Sequence, residues 1–135
     1  HKDDDKTVKV IAGKFENAEG PVKGHNVEPV YFDVEIEEGK EFNFNLPSTH
    51  NSLIYLIDGE IKVGDLNHDQ AKNSTLIILT KGEKLKVSSL TKAKFLVISG
   101  KPIGEPIARG GPFVMNTKAE ILQAVQDYHN GTFVK

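Results

Sequence analysis

Asn51–Asp65, NSLIYLIDGEIKVGD, is the stretch whose reading decides the fold. Leu53, Ile54, Leu56 and Ile57 with Tyr55 form a β-prone run, Asp58-Gly59 is a turn signal, and Ile61 and Val63 alternate with polar residues before Gly64. Two strands joined by a tight turn are written this way, and the spacing predicts a central hairpin. In a metal-bearing β-sandwich such a hairpin would carry imidazole and carboxylate ligands toward the interior, so the flanking residues become the first place to look for chemistry.

Outward from this hairpin the grammar stays β. Upstream, Glu41–Leu46 puts Phe42, Phe44 and Leu46 on one face and Glu41, Asn43 and Asn45 on the other, one side core and the other wet. Val30–Ile36 alternates in the same way, with Glu38-Gly39 between the two runs predicting a second hairpin, and Thr7–Ala12 reads as a first strand. Downstream, Ser74–Thr80, Glu83–Val87 and Ala93–Ser99 are short, apolar and bounded by turn residues. About eight strands at regular spacing predict an all-β sandwich or barrel. From Gly100 to Asn116, Pro102, Gly104, Pro106, Gly110, Gly111 and Pro112 predict an extended crossing segment. One helix is expected at 117–130: Thr117 and Glu120 form a capping-box pair, Ile121, Leu122, Val125 and Tyr128 recur at helical spacing, and Gly131 stops it. His1–Lys6, HKDDDK, has no apolar anchor and is expected to be a disordered linker or tag remnant, leaving residues 7–135 as one domain.

The 135 residues suit a single core. Seventeen basic against nineteen acidic side chains leave a net charge of −2, which gives no electrostatic footprint for nucleic acid or an anionic membrane. The absence of cysteine excludes disulfides and thiolate metal sites and fits a cytoplasmic setting. No apolar run approaches the roughly twenty residues that span a bilayer, and from the charged opening residues no signal peptide is expected.

A strand directs two ligands to one face only at i and i+2, so a metal at His50 would need histidine at 48 or 52. Both are serine, and positions 53–57, where a carboxylate would follow, are Leu, Ile, Tyr, Leu and Ile. The residues therefore predict no metal ligands, and with no Gly-x-Ser-x-Gly elbow around Ser48, Thr49 or Ser52 they predict no catalytic residues either. His50, Ser48, Ser52 and Tyr55 remain as candidates for contact with a cavity or ligand. His25 and His68 fall in polar loops. Phe113, Val114 and Met115 are apolar residues outside the strand pattern, which makes them interface candidates.

The run Gly100–Thr132, GKPIGEPIARGGPFVMNTKAEILQAVQDYHNGT, closely resembles the C-terminal end of pirins. Val10-Ile11-Ala12-Gly13, Pro29-Val30-Tyr31 and His50-Asn51 through Tyr55-Leu56-Ile57-Asp58-Gly59-Glu60 resemble the rest of the pirin second domain, with GPFVMNT the most specific part. The resemblance implies a cupin-type jelly roll, an antiparallel β-sandwich with one C-terminal α-helix, forming the second half of a two-cupin protein. Pirins bind iron or another divalent metal in the first domain through three histidines and a glutamate, and none of those ligands maps onto this chain. Some members are quercetin 2,3-dioxygenases, and an animal member is a nuclear transcriptional cofactor. The resemblance thus implies a metal-free, non-catalytic domain without a cofactor of its own, partnered by the N-terminal cupin domain. A protein-interaction module or a small-ligand-binding cupin is the alternative. If Phe113–Met115 and the Thr7–Ala12 edge face the missing half, a homodimer of the isolated chain is expected.

Overall fold

The computed structural model describes residues 1–23, 26–65 and 70–134, so His25, His68 and most of the loop around His68 lie outside the described residues. Two compact units are present, residues 1–102 and 103–135, where the sequence suggests one domain over 7–135.

The first unit is a sandwich. In chain order its strands are β1 Lys6–Ala12, β2 Lys14–Phe15, β3 Ala18–Glu19, β4 Val30–Ile36, β5 Glu41–Asn45, β6 Asn51–Asp58, β7 Glu60–Val63, β8 Gln70–Lys72, β9 Thr75–Ile78, β10 Lys84–Ser89 and β11 Ala93–Gly100. One sheet has the order β1-β4-β11-β6-β9 and the other β5-β10-β7-β8, with every pairing antiparallel. Period-two patterning explains the layering. Val30, Phe32, Val34 and Ile36 of β4, Ile54 and Leu56 of β6, Phe95 and Val97 of β11, and Leu85 and Val87 of β10 all point into the space between the sheets. Phenylalanine fills its centre. The Phe42 ring stacks on Phe15 at 5.4 Å and meets Phe95 edge-on at 5.7 Å, and Phe32 meets Phe44 edge-on at 4.9 Å.

Neither expected hairpin forms. β6 and β7 belong to different sheets, and so do β4 and β5, so Asp58-Gly59 and Glu37–Lys40 are corners that carry the chain across the sandwich. The reason lies in competition for strand edges. β11 takes β4 on one side and β6 on the other, with Phe95 opposite Val34 and Leu56, while β10 takes β5 and β7. Buried Ser89 ties the β4–β5 corner, donating from Oγ to the Glu37 carbonyl and receiving the Lys40 N–H.

His1–Lys6 is ordered, contrary to the linker expectation. His1 N–H donates to the Val8 carbonyl at 2.9 Å, Val8 N–H donates to the His1 carbonyl at 2.8 Å, and the His1 ring packs edge-on to Phe15 at 5.4 Å. β1 is an edge strand, and the returning chain covers part of its free side. Lys2 bridges Thr7, while Val22 N–H donates to the Ile11 carbonyl at 3.1 Å. Covering an edge in this way removes a template for pairing with another chain, so less of the Thr7–Ala12 edge is open than the sequence suggests.

The second unit is a short hairpin with a helix. β12 Ala108–Gly110 pairs with β13 Phe113–Met115, so the segment at 100–116 contains a hairpin where an extended crossing is expected from sequence. α1 spans Lys118–His129 with Thr117 as N-cap: Glu120 N–H donates to Thr117 Oγ1 at 3.2 Å and the Glu120 carboxylate accepts from Thr117 N–H at 2.7 Å. At the other end Gly131 N–H donates to the Tyr128 carbonyl and Thr132 N–H to that of Asp127, closing a Schellman motif. Ile121 sits so close to Gly110 that a β-carbon there would lie 2.4 Å from its Cγ2. Among the described residues no helix is long and apolar enough to cross a membrane.

Candidate functional site

His50 ends the turn that begins at Pro47 and immediately precedes β6. Its backbone N–H donates to the Pro47 carbonyl at 3.0 Å. Lys81 fixes the same turn, its Nζ donating to the His50 carbonyl at 2.7 Å, the Asn51 side-chain oxygen at 2.9 Å and the Thr49 carbonyl at 3.3 Å. The turn therefore holds the imidazole rigidly at one end of the sandwich, and only 2% of the side chain is exposed.

Three polar side chains form a line there, two of them buried and Ser52 half-buried. His50 Nδ1 lies 3.1 Å from Ser99 Oγ, and Ser99 Oγ lies 2.8 Å from Ser52 Oγ. Ser52 and Ser99 are direct cross-strand partners on β6 and β11. The second ring nitrogen, Nε2, is buried and makes no hydrogen bond among the described residues; it faces the Glu28 carboxylate at 4.0 Å. A proton on Nε2 would face that carboxylate. In that tautomer Nδ1 accepts from Ser99 Oγ–H, and Ser99 in turn accepts from Ser52 Oγ–H. His50 lines a cleft of about 430 Å³ bounded by residues of β2–β5 and the neighbouring connections, including Val22, Glu28, Pro29, Phe44 and Pro47.

The four residues singled out from sequence do not converge. Ser52 joins His50 only through Ser99, Ser48 is exposed in the turn, and Tyr55 points to the opposite, outer face of the sheet with 38% of its surface open. Ser99 and Glu28 are the partners that sequence reading missed. A signal for Ser99 existed: it follows Phe95 and Val97 at a core-facing position of β11, where a hydroxyl needs a buried partner. Glu28 carried none. Phe113 meets Tyr128 at 5.9 Å and Phe133 at 5.1 Å within its own unit, Met115 is half-buried, and Val114 remains 62% exposed.

Among the described residues no three His, Asp or Glu side chains are grouped to hold a metal ion. After His50, the residues that β6 turns toward the core are Ser52, Ile54 and Leu56, so this donor set does not fit a metal centre.

The outer face of the five-stranded sheet divides in two. Toward β1 it is charged: Lys94 Nζ lies 3.1 Å from Glu35 and 3.6 Å from Asp33, and Lys9 is 3.8 Å from each. The Lys94 ammonium holds the Glu35 carboxyl below its ordinary value, and Glu35 raises Lys94. The small stability this adds is present above the ordinary carboxylate pKa and is lost as pH falls through the lowered one. Toward β9 the face is apolar. Register places Ile98, Leu53 and Ile78 in one row and Leu96, Tyr55 and Leu76 in the next, and Leu76 and Ile78 are 55% and 79% exposed.

Comparison with known proteins agrees with this architecture. The family described as the pirin C-terminal cupin domain matches residues 31–134. A pirin-like protein of Caulobacter vibrioides is 35% identical over 94% of this chain and 45% of its own length. Pirin-1 of Arabidopsis thaliana is 34% identical over 91% of this chain and 44% of its own. The crystal structure of a quercetin 2,3-dioxygenase from Acinetobacter baumannii superposes with a TM-score of 0.86 at 32% identity, covering 98% of this chain and 45% of that one. The chain thus spans about half the length of the relatives it matches.

Proposed function

Since the chain belongs to the pirin family, as its C-terminal cupin domain, we propose that it is the metal-free, non-catalytic half of a two-cupin protein and supports a first cupin that holds iron or another divalent metal. The observation that carries this reading is the divided outer face. An apolar patch built from Leu53, Tyr55, Leu76, Ile78 and Ile98, beside a charge-paired region on the same sheet, suits burial against a neighbouring domain. The N-terminal cupin is the occupant, because relatives carry more than half of their length outside the matched region. The intact protein is then of the quercetin 2,3-dioxygenase type, with its chemistry in the other half.

Ile78→Lys tests the docking. In the isolated domain the substitution is expected to be nearly neutral, because the side chain is 79% exposed. In the full-length protein it should cost about 2–3 kcal/mol, as a charge enters an apolar interface. Equal effects in both, read from denaturant midpoints, would remove the interface.

The metal-free reading has its own test. The isolated chain, equilibrated with iron, nickel, copper or zinc and dialysed, is expected to retain far less than one metal per chain. A stoichiometric metal lost on His50→Ala would refute it. Oxygen uptake with quercetin should likewise stay at the buffer control for this chain alone.

A further inference from the structure

We propose that the cleft at His50 binds a small, neutral, hydroxyl-bearing molecule with an apolar body, its hydroxyl seated between His50 Nε2 and the Glu28 carboxylate. The starting point is a buried polar atom without a partner. Such atoms are rare, because burial removes their water and an unmade hydrogen bond is not repaid elsewhere. Here the Nε2–H is not left over from poor packing. Ser99 holds the ring from behind at 3.1 Å, itself 2.8 Å from Ser52, and Lys81 pins the turn that carries it, so the orientation of the ring is set in advance. A nitrogen prepared in this way and turned toward a cleft of about 430 Å³ has the form of a recognition group, and the cleft lies in the size range of small-molecule sites.

The ligand class follows from what faces the nitrogen. Nε2–H donates and the Glu28 carboxylate accepts, and they stand 4.0 Å apart. One hydroxyl oxygen placed at ordinary hydrogen-bond distance from both receives the first bond and makes the second. At the Glu28 carboxylate itself a second carboxylate is repelled, and an ammonium has no lone pair for Nε2–H. Lys14 and the paired Glu19 and Lys23 also line the cleft, while Val22, Pro29, Phe44 and Pro47 supply apolar surface for the rest of the molecule. Glu28 holds its backbone at φ +46°, an uncommon conformation for a non-glycine residue, and its side chain is 66% exposed. This inference concerns the domain's own cleft and does not depend on docking to a first cupin.

Phenol is the simplest probe. Titrated into the purified chain and followed by the ring ¹⁵N and ¹H resonances of His50, it is expected to produce saturable shifts at millimolar concentration, while benzoate at neutral pH produces none in that range. Glu28→Ala, at an exposed side chain, should fold normally and weaken phenol about three- to tenfold, the effect of one lost hydrogen bond. His50→Gln should weaken it at least as much, and if that variant fails to fold the Glu28→Ala comparison decides alone. No response of the His50 ring to phenol, equal binding of benzoate, or unchanged affinity in Glu28→Ala would each overturn the proposal.

Discussion

Phe42→Ala is expected to destabilise the domain by about 3–5 kcal/mol, a large part of the roughly 5–15 kcal/mol that holds a typical domain folded. The ring is fully buried on β5 and bridges the two sheets, stacking on Phe15 at 5.4 Å, meeting Phe95 edge-on at 5.7 Å and lying 6.5 Å from Phe44. Truncation forfeits its transfer free energy and leaves a cavity that neighbouring rings, already interlocked, fill only in part. The measurement is a shift in urea midpoint at unchanged slope. Ile78→Ala, at an exposed position on β9, serves as the control and should move the isolated domain by about 0.5 kcal/mol or less. Similar losses from the two would show that the phenylalanine cluster is not the centre of the core.

Gly59→Ala should cost about 2–5 kcal/mol, for two separable reasons. Gly59 has φ +87°, where a side chain collides with its own backbone. A β-carbon there would also fall 2.4 Å from the Lys92 carbonyl oxygen and 2.7 Å from Ala93 Cα. These atoms belong to the end of the β10–β11 connection and the first residue of β11, and the connection is bonded to this corner, with Leu90 N–H donating to the Glu60 carbonyl at 2.9 Å and Glu60 N–H to Thr91 Oγ1 at 3.0 Å. Gly39 separates the two causes. It has φ +73° but open space, with nothing within 4 Å of the point a β-carbon would occupy, so Gly39→Ala should show the conformational cost alone, about 1–2 kcal/mol. Thermal unfolding of the two variants side by side checks this, and equal losses would mean that the corner at Gly59 can yield without cost.

The site divides along similar lines. His50 could be picked out from sequence as an isolated imidazole at a strand entrance, and the serines at 48 and 52 spoke against metal coordination. Its actual partners lie far along the chain: Ser99 is 49 residues away, and Glu28 reaches the ring from a connection with no periodicity to read. Tyr55 was grouped with His50 because it is near in sequence, yet strand alternation turns it to the outer face.

The sequence by itself determined the strands, their buried faces and the helix, because each depends on local information. Val30, Phe32, Val34 and Ile36 alternate whatever they pair with, and Thr117 caps a helix through a residue three positions away. It also carried the family, through motifs spread over most of the chain. Only the tertiary structure decided which strands meet. Asp58-Gly59 and Glu38-Gly39 are equally good turns in a hairpin or in a corner between sheets, and the choice was made by β10 and β11, which take β5 and β7, and β4 and β6, as their partners. The same long-range pairing brings Ser99 beneath His50, so the polar line at the cleft exists only once the sandwich has closed.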